Sequence, residues 1–323
     1  MVKKIGGSWI EFSHHNIKEG VYYTPVVRTF TDEQWRAKIR EMKELGMTYL
    51  TLLCSSLCYS DRAEAYFPTD LYPAPVDFGC KNPIETLLDE ADKQGMKVFL
   101  SVGYYGDCYH AYENMISAEV QARAFKAMEQ LTALYGHHPS FFGWYLPDEV
   151  GINPNYPPEF IHYVNSYAAF AHSLDKTKKM FIAPYGTRKV ITDDRYIRDL
   201  EALDADFVAY QDEVGVRKST PDETGAFFEA LRKAHDKAGR SALWADVETF
   251  TFEGDTYRSP LIAADADRLY RQLAAVSDYV DEILVYSYLG MMNKPGTIAY
   301  CGHPDSIAFY NGYKALLDAG KLK

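Results

Sequence analysis

ELGMTYLTLL (Glu44–Leu53) and KQGMKVFLSV (Lys93–Val102) share one pattern: a helical tail closed by glycine, a methionine, then a short apolar run. Gly46 and Gly95 stand where helices end in the left-handed conformation that glycine adopts without steric penalty. The runs that follow, Tyr49–Leu53 and Lys97–Gly103, are rich in β-branched and aromatic residues and bounded by turn residues, the pattern of a parallel strand covered on both faces. A repeated helix-to-strand joint implies a chain built from repeated βα units.

Six further runs complete the series: Ile5–Phe12, Phe141–Leu146, Met180–Pro184, Phe207–Gln211, Ala242–Glu248 and Glu282–Tyr286. Helix-period segments separate them. Thr31-Asp32-Glu33-Gln34 has the form of a capping box, and Asn82-Pro83 places proline at a first helical position. Ser117, Asp193, Asp222 and Asp265 are expected to start later helices. Eight units in 323 residues give about 40 residues each, which fits an α/β fold in the form of a single (β/α)8 TIM barrel spanning residues 1–323. An open doubly wound sheet would carry a glycine-rich phosphate turn after its first strand. In GGSWIEFSHHN (Gly6–Asn16) the glycines precede the strand or lie inside it. Long βα loops are expected at Ser13–Phe30, Cys54–Lys81, Tyr104–Ile116 and Val150–Tyr156, all on the face where barrels build their sites.

Composition narrows the function. The net charge is −11 and no Lys/Arg-rich run appears, so neither a nucleic acid nor an anionic membrane is an expected partner. Aromatic residues reach 15%, with 26 Tyr against 17 Phe. Tyrosine offers a flat face with a polar tip, which suits a sugar-binding cleft and equally a half-buried surface. The five cysteines, Cys54, Cys58, Cys80, Cys108 and Cys301, cannot all pair within one chain and are read as free thiols. With no apolar leader or membrane-length stretch, a soluble cytoplasmic protein is expected.

The strongest chemical signal is a pair of carboxylates at strand ends. The fourth run closes on Pro147-Asp148-Glu149 and the seventh on Asp246-Val247-Glu248. Glycoside cleavage needs two such groups flanking one bond, an acid for the leaving oxygen and a nucleophile or base beneath the ring. Strands four and seven lie on opposite sides of a barrel mouth, so their side chains can bracket a sugar. Asp246 shares the parity of Glu248 and is a candidate inward acid. Gln211 and Asp212, at the end of the sixth strand, are candidates for holding hydroxyl groups. Tyr104, Trp144, Tyr145, Tyr210 and Tyr286 are candidate stacking surfaces, with Trp9, Trp244, Tyr105 and Tyr288 as further aromatic positions.

GWYLPDE (Gly143–Glu149), FIAPYG (Phe181–Gly186), AYQDEVG (Ala209–Gly215) and LWADVETF (Leu243–Phe250) resemble an uncharacterised bacterial family of glycosyl hydrolase-type barrels, similar to clan A glycoside hydrolases. The resemblance runs from Trp9 to Tyr288. It implies a retaining glycosidase in which Glu149 is the acid/base and Glu248 the nucleophile. Clan A has asparagine immediately before its acid/base, where this chain has Asp148. That departure leaves open whether Asp148 or Glu149 is the acid, and with it the choice between retention and inversion.

Two histidine pairs complete the inventory. His14-His15 lie near the end of the first strand. Adjacent residues of an extended segment point to opposite sides, so the pair is a poor chelate, and His14 is a candidate for binding a sugar hydroxyl. His137-His138 precede the fourth strand, away from the mouth, and are read as structural. No metal and no cofactor is called for; no phosphate-binding loop, Cys-x-x-Cys set or nucleophile elbow occurs. The expected partner is a carbohydrate or glycoside substrate. Two alternatives stand: a metal-dependent sugar isomerase or amidohydrolase barrel, and a non-catalytic carbohydrate-binding barrel.

Overall fold

A computed structural model describes residues 1–323. Eight parallel strands close a barrel: β1 (Gly7–Ile10), β2 (Tyr49–Leu52), β3 (Lys97–Ser101), β4 (Phe141–Tyr145), β5 (Lys179–Ile182), β6 (Phe207–Gln211), β7 (Ala242–Glu248) and β8 (Glu282–Tyr286). Each pairs with its sequence neighbours, and β8 returns to β1 through Gly7↔Leu284 and Ser8↔Val285. The sequence pattern locates all eight. It overextends β1, where pairing to β2 covers only Gly7 to Ile10.

Eight main helices form the outer ring: α1 (Asp32–Glu44), α2 (Pro83–Gln94), α3 (Ala118–Tyr135), α4 (Pro158–Leu174), α5 (Asp194–Ala202), α6 (Pro221–Ala238), α7 (Ala266–Val276) and α8 (Asp305–Asp318). Their starts are written in the sequence. Thr31 and Gln34 form a reciprocal capping box on α1, and the side chains of Asn82, Ser117, Asp193 and Asp265 accept from first-turn amides of their helices. Asp222 is not a helix start. Thr220 caps α6 through a capping box with Glu223, Pro221 takes the first helical position, and Asp222 pairs with Arg271 instead. Gly95 ends α2 at φ +62°, as its place in the repeated joint requires.

Side-chain alternation divides the core into two populations. Inside the barrel, Trp9, Phe99, Tyr145, Phe181, Ala209, Trp244 and Leu284 form one cluster. Their outward-facing neighbours, including Trp144, Val208, Tyr210, Leu243 and Val285, join an 85-residue cluster under the helices. The interior is plugged by aromatic contacts such as Phe207–Trp244 at 4.3 Å, Phe99–Phe181 at 4.9 Å and Trp9–Phe181 at 5.5 Å between centroids. Trp244 is therefore filling; truncating it to alanine costs about 3–5 kcal/mol in a site of this kind. Above this packed plug a cavity with Trp9 in its lining opens toward the strand C-terminal ends.

Two antiparallel hairpins decorate that end: Ser56–Cys58 with Ala63–Ala65 after β2, and Phe250–Phe252 with Leu261–Ala263 after β7. No helix is long and apolar enough to cross a membrane.

Candidate active site

A cavity of about 550 Å³ opens at the C-terminal ends of the strands, within the size range of small-ligand sites. Glu149, Glu248, Asp246, Gln211, Tyr104, Tyr286 and His14 all line it, as does Trp9. Five expected site residues do not: Trp144, Tyr210, Asp148, Tyr145 and Asp212. Trp144 is fully buried beneath the helices, edge-on to Phe141 at 4.9 Å. Tyr210 faces the same way: its hydroxyl meets those of Tyr196 at 2.6 Å and Tyr156 at 3.1 Å, and His235 Nε2 at 3.0 Å. Both follow from parity, since the neighbours Tyr145, Ala209 and Gln211 take the inward positions.

Asp148 is a further correction. It turns away from the cavity, accepting from Asn114 Nδ2 at 2.9 Å with the Tyr163 phenol beside it. Burial pushes its carboxyl up to about 7. Of the Asp148–Glu149 pair, only Glu149 faces the open space.

Glu149 accepts from Tyr145 Oη at 3.1 Å on one carboxylate oxygen and from Gln211 Nε2 at 2.9 Å on the other. Tyr145 lies just under the cavity in the barrel interior, so its contribution is a hydrogen bond from below, not a stacking surface. Burial raises the Glu149 carboxyl to about 7, partly offset by the Gln211 and Tyr145 hydrogen bonds. Desolvation is the sole raising cause; no neighbouring anion contributes.

Glu248 closes β7, and its backbone is clamped from three sides. Its N–H donates to Asp212 Oδ1 at 3.2 Å, while its carbonyl accepts from Arg268 Nη2 at 2.8 Å and Gln272 Nε2 at 3.0 Å. Gln272 also donates to the other Asp212 oxygen at 2.7 Å. Asp212 thus works below the site, holding β6 to β7, and does not reach the cavity. One carboxylate oxygen of Glu248 accepts from the Val216 amide at 2.8 Å. That approach depends on Gly215: a Cβ there would stand 2.7 Å from the Phe250 carbonyl and 2.9 Å from the Glu248 Cβ. Burial, then the charge of Asp212, raises the Glu248 carboxyl.

Asp246 sits one inward step deeper on β7. Its carboxyl is pushed well above the usual range by burial, then by Glu248, Glu149 and Asp212, and its Oδ1 has no hydrogen-bond partner. Three buried carboxyls around one space cannot all ionise, so protons are retained there at neutral pH.

Around this centre stand residues the sequence did not single out. Glu11 accepts from Tyr23 Oη at 2.6 Å and Tyr286 Oη at 3.0 Å. A carboxylate two residues beyond Trp9, at the end of the first strand, was a legible signal by the same parity that identified Asp246. Glu11 stays behind the cavity wall, whereas Glu19, Glu213, Lys218, Tyr185 and Tyr257 line the cavity, from loops whose course no periodicity reveals. Burial raises Glu19 to about 7.

The histidine pair departs from expectation. The chain bends after β1, and the His14 and His15 rings stack at 4.7 Å and 21°, both lining the cavity. His14 Nδ1 accepts from the Asn16 amide at 2.9 Å. Burial lowers both rings to about 3, so they are neutral at ordinary pH. Tyr288 lies elsewhere, its hydroxyl donating to Glu41 at 2.9 Å.

The arrangement supplies two carboxyls from opposite strands, a retained proton and an aromatic rim. The architecture recurs in solved structures. A protein from Bacteroides thetaiotaomicron described as a "putative alpha-L-fucosidase" superposes with TM-score 0.76 at 18% identity, over 98% of this chain and 94% of that one. The endo-β-1,4-mannanase of Thermotoga petrophila gives 0.62 at 11% identity over 99% and 78%, and that of Rhizomucor miehei 0.57 at 12% over 98% and 95%. At such identities the likeness is one of fold. A search of the curated proteins finds no match to the sequence. The family described as a domain of unknown function, DUF4434, matches residues 5–299, and the chain belongs to that family.

Proposed function

We propose that this protein is a glycoside hydrolase, its residues 1–323 one catalytic barrel, cleaving an O-glycosidic bond between Glu149 and Glu248. The observation that carries the reading is that the two glutamates, from the ends of β4 and β7, face one cavity whose burial raises both carboxyls. The glycosidase names of the fold's solved neighbours support it.

In the first step the Glu248 carboxylate attacks the anomeric carbon as the bond to the leaving oxygen breaks, and Glu149 delivers its proton to that oxygen. In the second step the Glu149 carboxylate takes a proton from water, whose oxygen displaces Glu248. Burial raises both carboxyls, Glu149 to about 7 and Glu248 to about 8, so the division of roles rests on strand position and the clan A resemblance and not on the order of titration. Asp246, holding its own proton, spares Glu248 one adjacent negative charge. The Val216 amide favours the Glu248 carboxylate needed for attack. Trp9, Tyr104 and Tyr286 supply aromatic surface to a pyranose, the two phenol hydroxyls already donating to the Pro147 carbonyl and to Glu11. Retention rests on the clan A resemblance. Five unpaired thiols support a reducing, cytoplasmic setting.

A panel of chromogenic glycosides tests the proposal, with the anomer of the first product followed by NMR. Glu248→Gln should abolish turnover and leave glycan binding. Glu149→Ala should spare activated aryl glycosides more than alkyl ones, whose departure needs protonation. Glycan binding by the wild type with no turnover on any linkage would return the protein to the non-catalytic reading.

A further inference from the structure

On the flank of the barrel, Glu85 of α2 and His137-His138 of the turn before β4 bring three ligand-type atoms within 4.8 Å of one another. None of the three lines the active-site cavity. We propose that they form a binding site for a divalent transition cation of the zinc type, with a solvent molecule as fourth ligand.

His138 carries the argument. Its residue is only 4% exposed, and its Nδ1 lies 2.7 Å from Asp92 Oδ2. A carboxylate only accepts, so Nδ1 donates its proton to Asp92 and Nε2 is the ring atom left to face a cation. That Nε2 is buried with no hydrogen-bond partner, and the group facing it, Glu85 Oε1 at 3.5 Å, is another acceptor. The separation is too long for a hydrogen bond. It matches the edge of a tetrahedron: two ligand atoms each about 2.0–2.1 Å from one zinc ion stand roughly 3.3–3.4 Å apart. His137, exposed and with its ring centroid 4.2 Å from that of His138, supplies the third ligand atom within the same 4.8 Å. Asp92 is the outer partner that metal-bound histidines use to fix ring and tautomer, and its other oxygen accepts from the Ser140 amide at 2.8 Å. Two imidazoles and one carboxylate favour zinc, cobalt or nickel over magnesium or calcium.

A cation here would tie α2 to the start of β4, the strand that leads to Glu149. The test is titration of the tag-free, chelator-dialysed protein with zinc chloride by calorimetry, and with cobalt(II) by visible absorption, alongside thermal melts. We expect one equivalent bound, a tetrahedral cobalt spectrum and a raised melting temperature. His137→Ala and Glu85→Gln, at accessible positions, should each weaken binding ten-fold or more while melting like the wild type in chelator. Glu149→Gln and Glu248→Gln should bind the cation normally, which separates this site from the glycosidase reading. No stoichiometric binding, or binding unchanged in both flank variants, would overturn the proposal.

Discussion

Gln211, the last residue of β6, donates its side-chain amide to Glu149 Oε2 across 2.9 Å and to the Ala183 carbonyl across 3.1 Å. Both amide hydrogens are committed, so the glutamine is a fixed donor that favours the charged form of Glu149 against the desolvation that opposes it. Gln211→Ala should therefore raise the Glu149 pKa and move the alkaline limb of kcat/KM to higher pH. A roughly 10- to 100-fold fall in kcat/KM at neutral pH should accompany it, at or below the low end of what a general acid–base group itself contributes. A pH–rate profile that keeps its alkaline limb in place would contradict this account.

The wild-type profile itself is a second prediction. Glu149 and Glu248 face one cavity and both are raised, so their two proton releases belong to the pair. Only the singly protonated pair is competent, with the acid on Glu149 and the carboxylate on Glu248. Activity should form a bell with its optimum at neutral to mildly alkaline pH. Glu149→Gln, assayed on an activated aryl glycoside, should lose the alkaline limb and keep the acidic one.

Substrate charge gives a third. Five carboxylic side chains, Glu19, Glu149, Glu213, Asp246 and Glu248, line the cavity against one ammonium, Lys218, and the two histidines are neutral. Lys218 lies 3.9 Å from Glu213 and over the Tyr185 and Tyr257 rings, so its charge is already engaged. A uronic acid would bring another anion into a desolvated acidic space. Neutral glycosides should outperform matched glucuronides or galacturonides by at least 100-fold in kcat/KM, and Glu213→Gln should narrow the gap. Equal turnover of the two classes would refute it.

The barrel was legible because its signals are local: a glycine at φ +62° ending α2, cap residues three positions before an amide they accept from, and runs bounded by turns. The glutamate pair was legible because strand ends face the mouth. Trp144 and Tyr210 share motifs with site residues but carry the outward parity, since alternation assigns Tyr145 and Gln211 to the inside. Asp148 lies beyond the last β4 residue, where no period applies and only its contact with Asn114, 34 positions away, decides its direction. The stacking of His14 on His15 depends likewise on a bend that ends the extended geometry assumed for them. Loop residues such as Glu19 and Lys218 reach the site through tertiary packing that a linear pattern does not carry.

The last prediction concerns stability. Glu149, Glu248 and Asp246 have folded-state pKa values raised above those of an unfolded chain. The native state therefore holds more protons than the unfolded one across this window, and linkage makes stability fall as pH rises through it. The loss begins above the ordinary carboxylate range near 4.5 and, for Glu149, levels off above about 7. For that residue alone the full shift corresponds to about 3 kcal/mol, an upper figure because a buried site relaxes. The wild type should melt at a clearly lower temperature at pH 8.5 than at pH 5.5. The double variant Glu149→Gln/Glu248→Gln removes two of the titrations and should flatten that dependence, whatever its absolute stability. Comparing the two slopes cancels the constant cost of placing an amide opposite Tyr145 and Gln211. If the variant and the wild type lose melting temperature in parallel over this range, the carboxyls are not desolvated as their burial requires, and the proton held for the leaving oxygen has no physical basis.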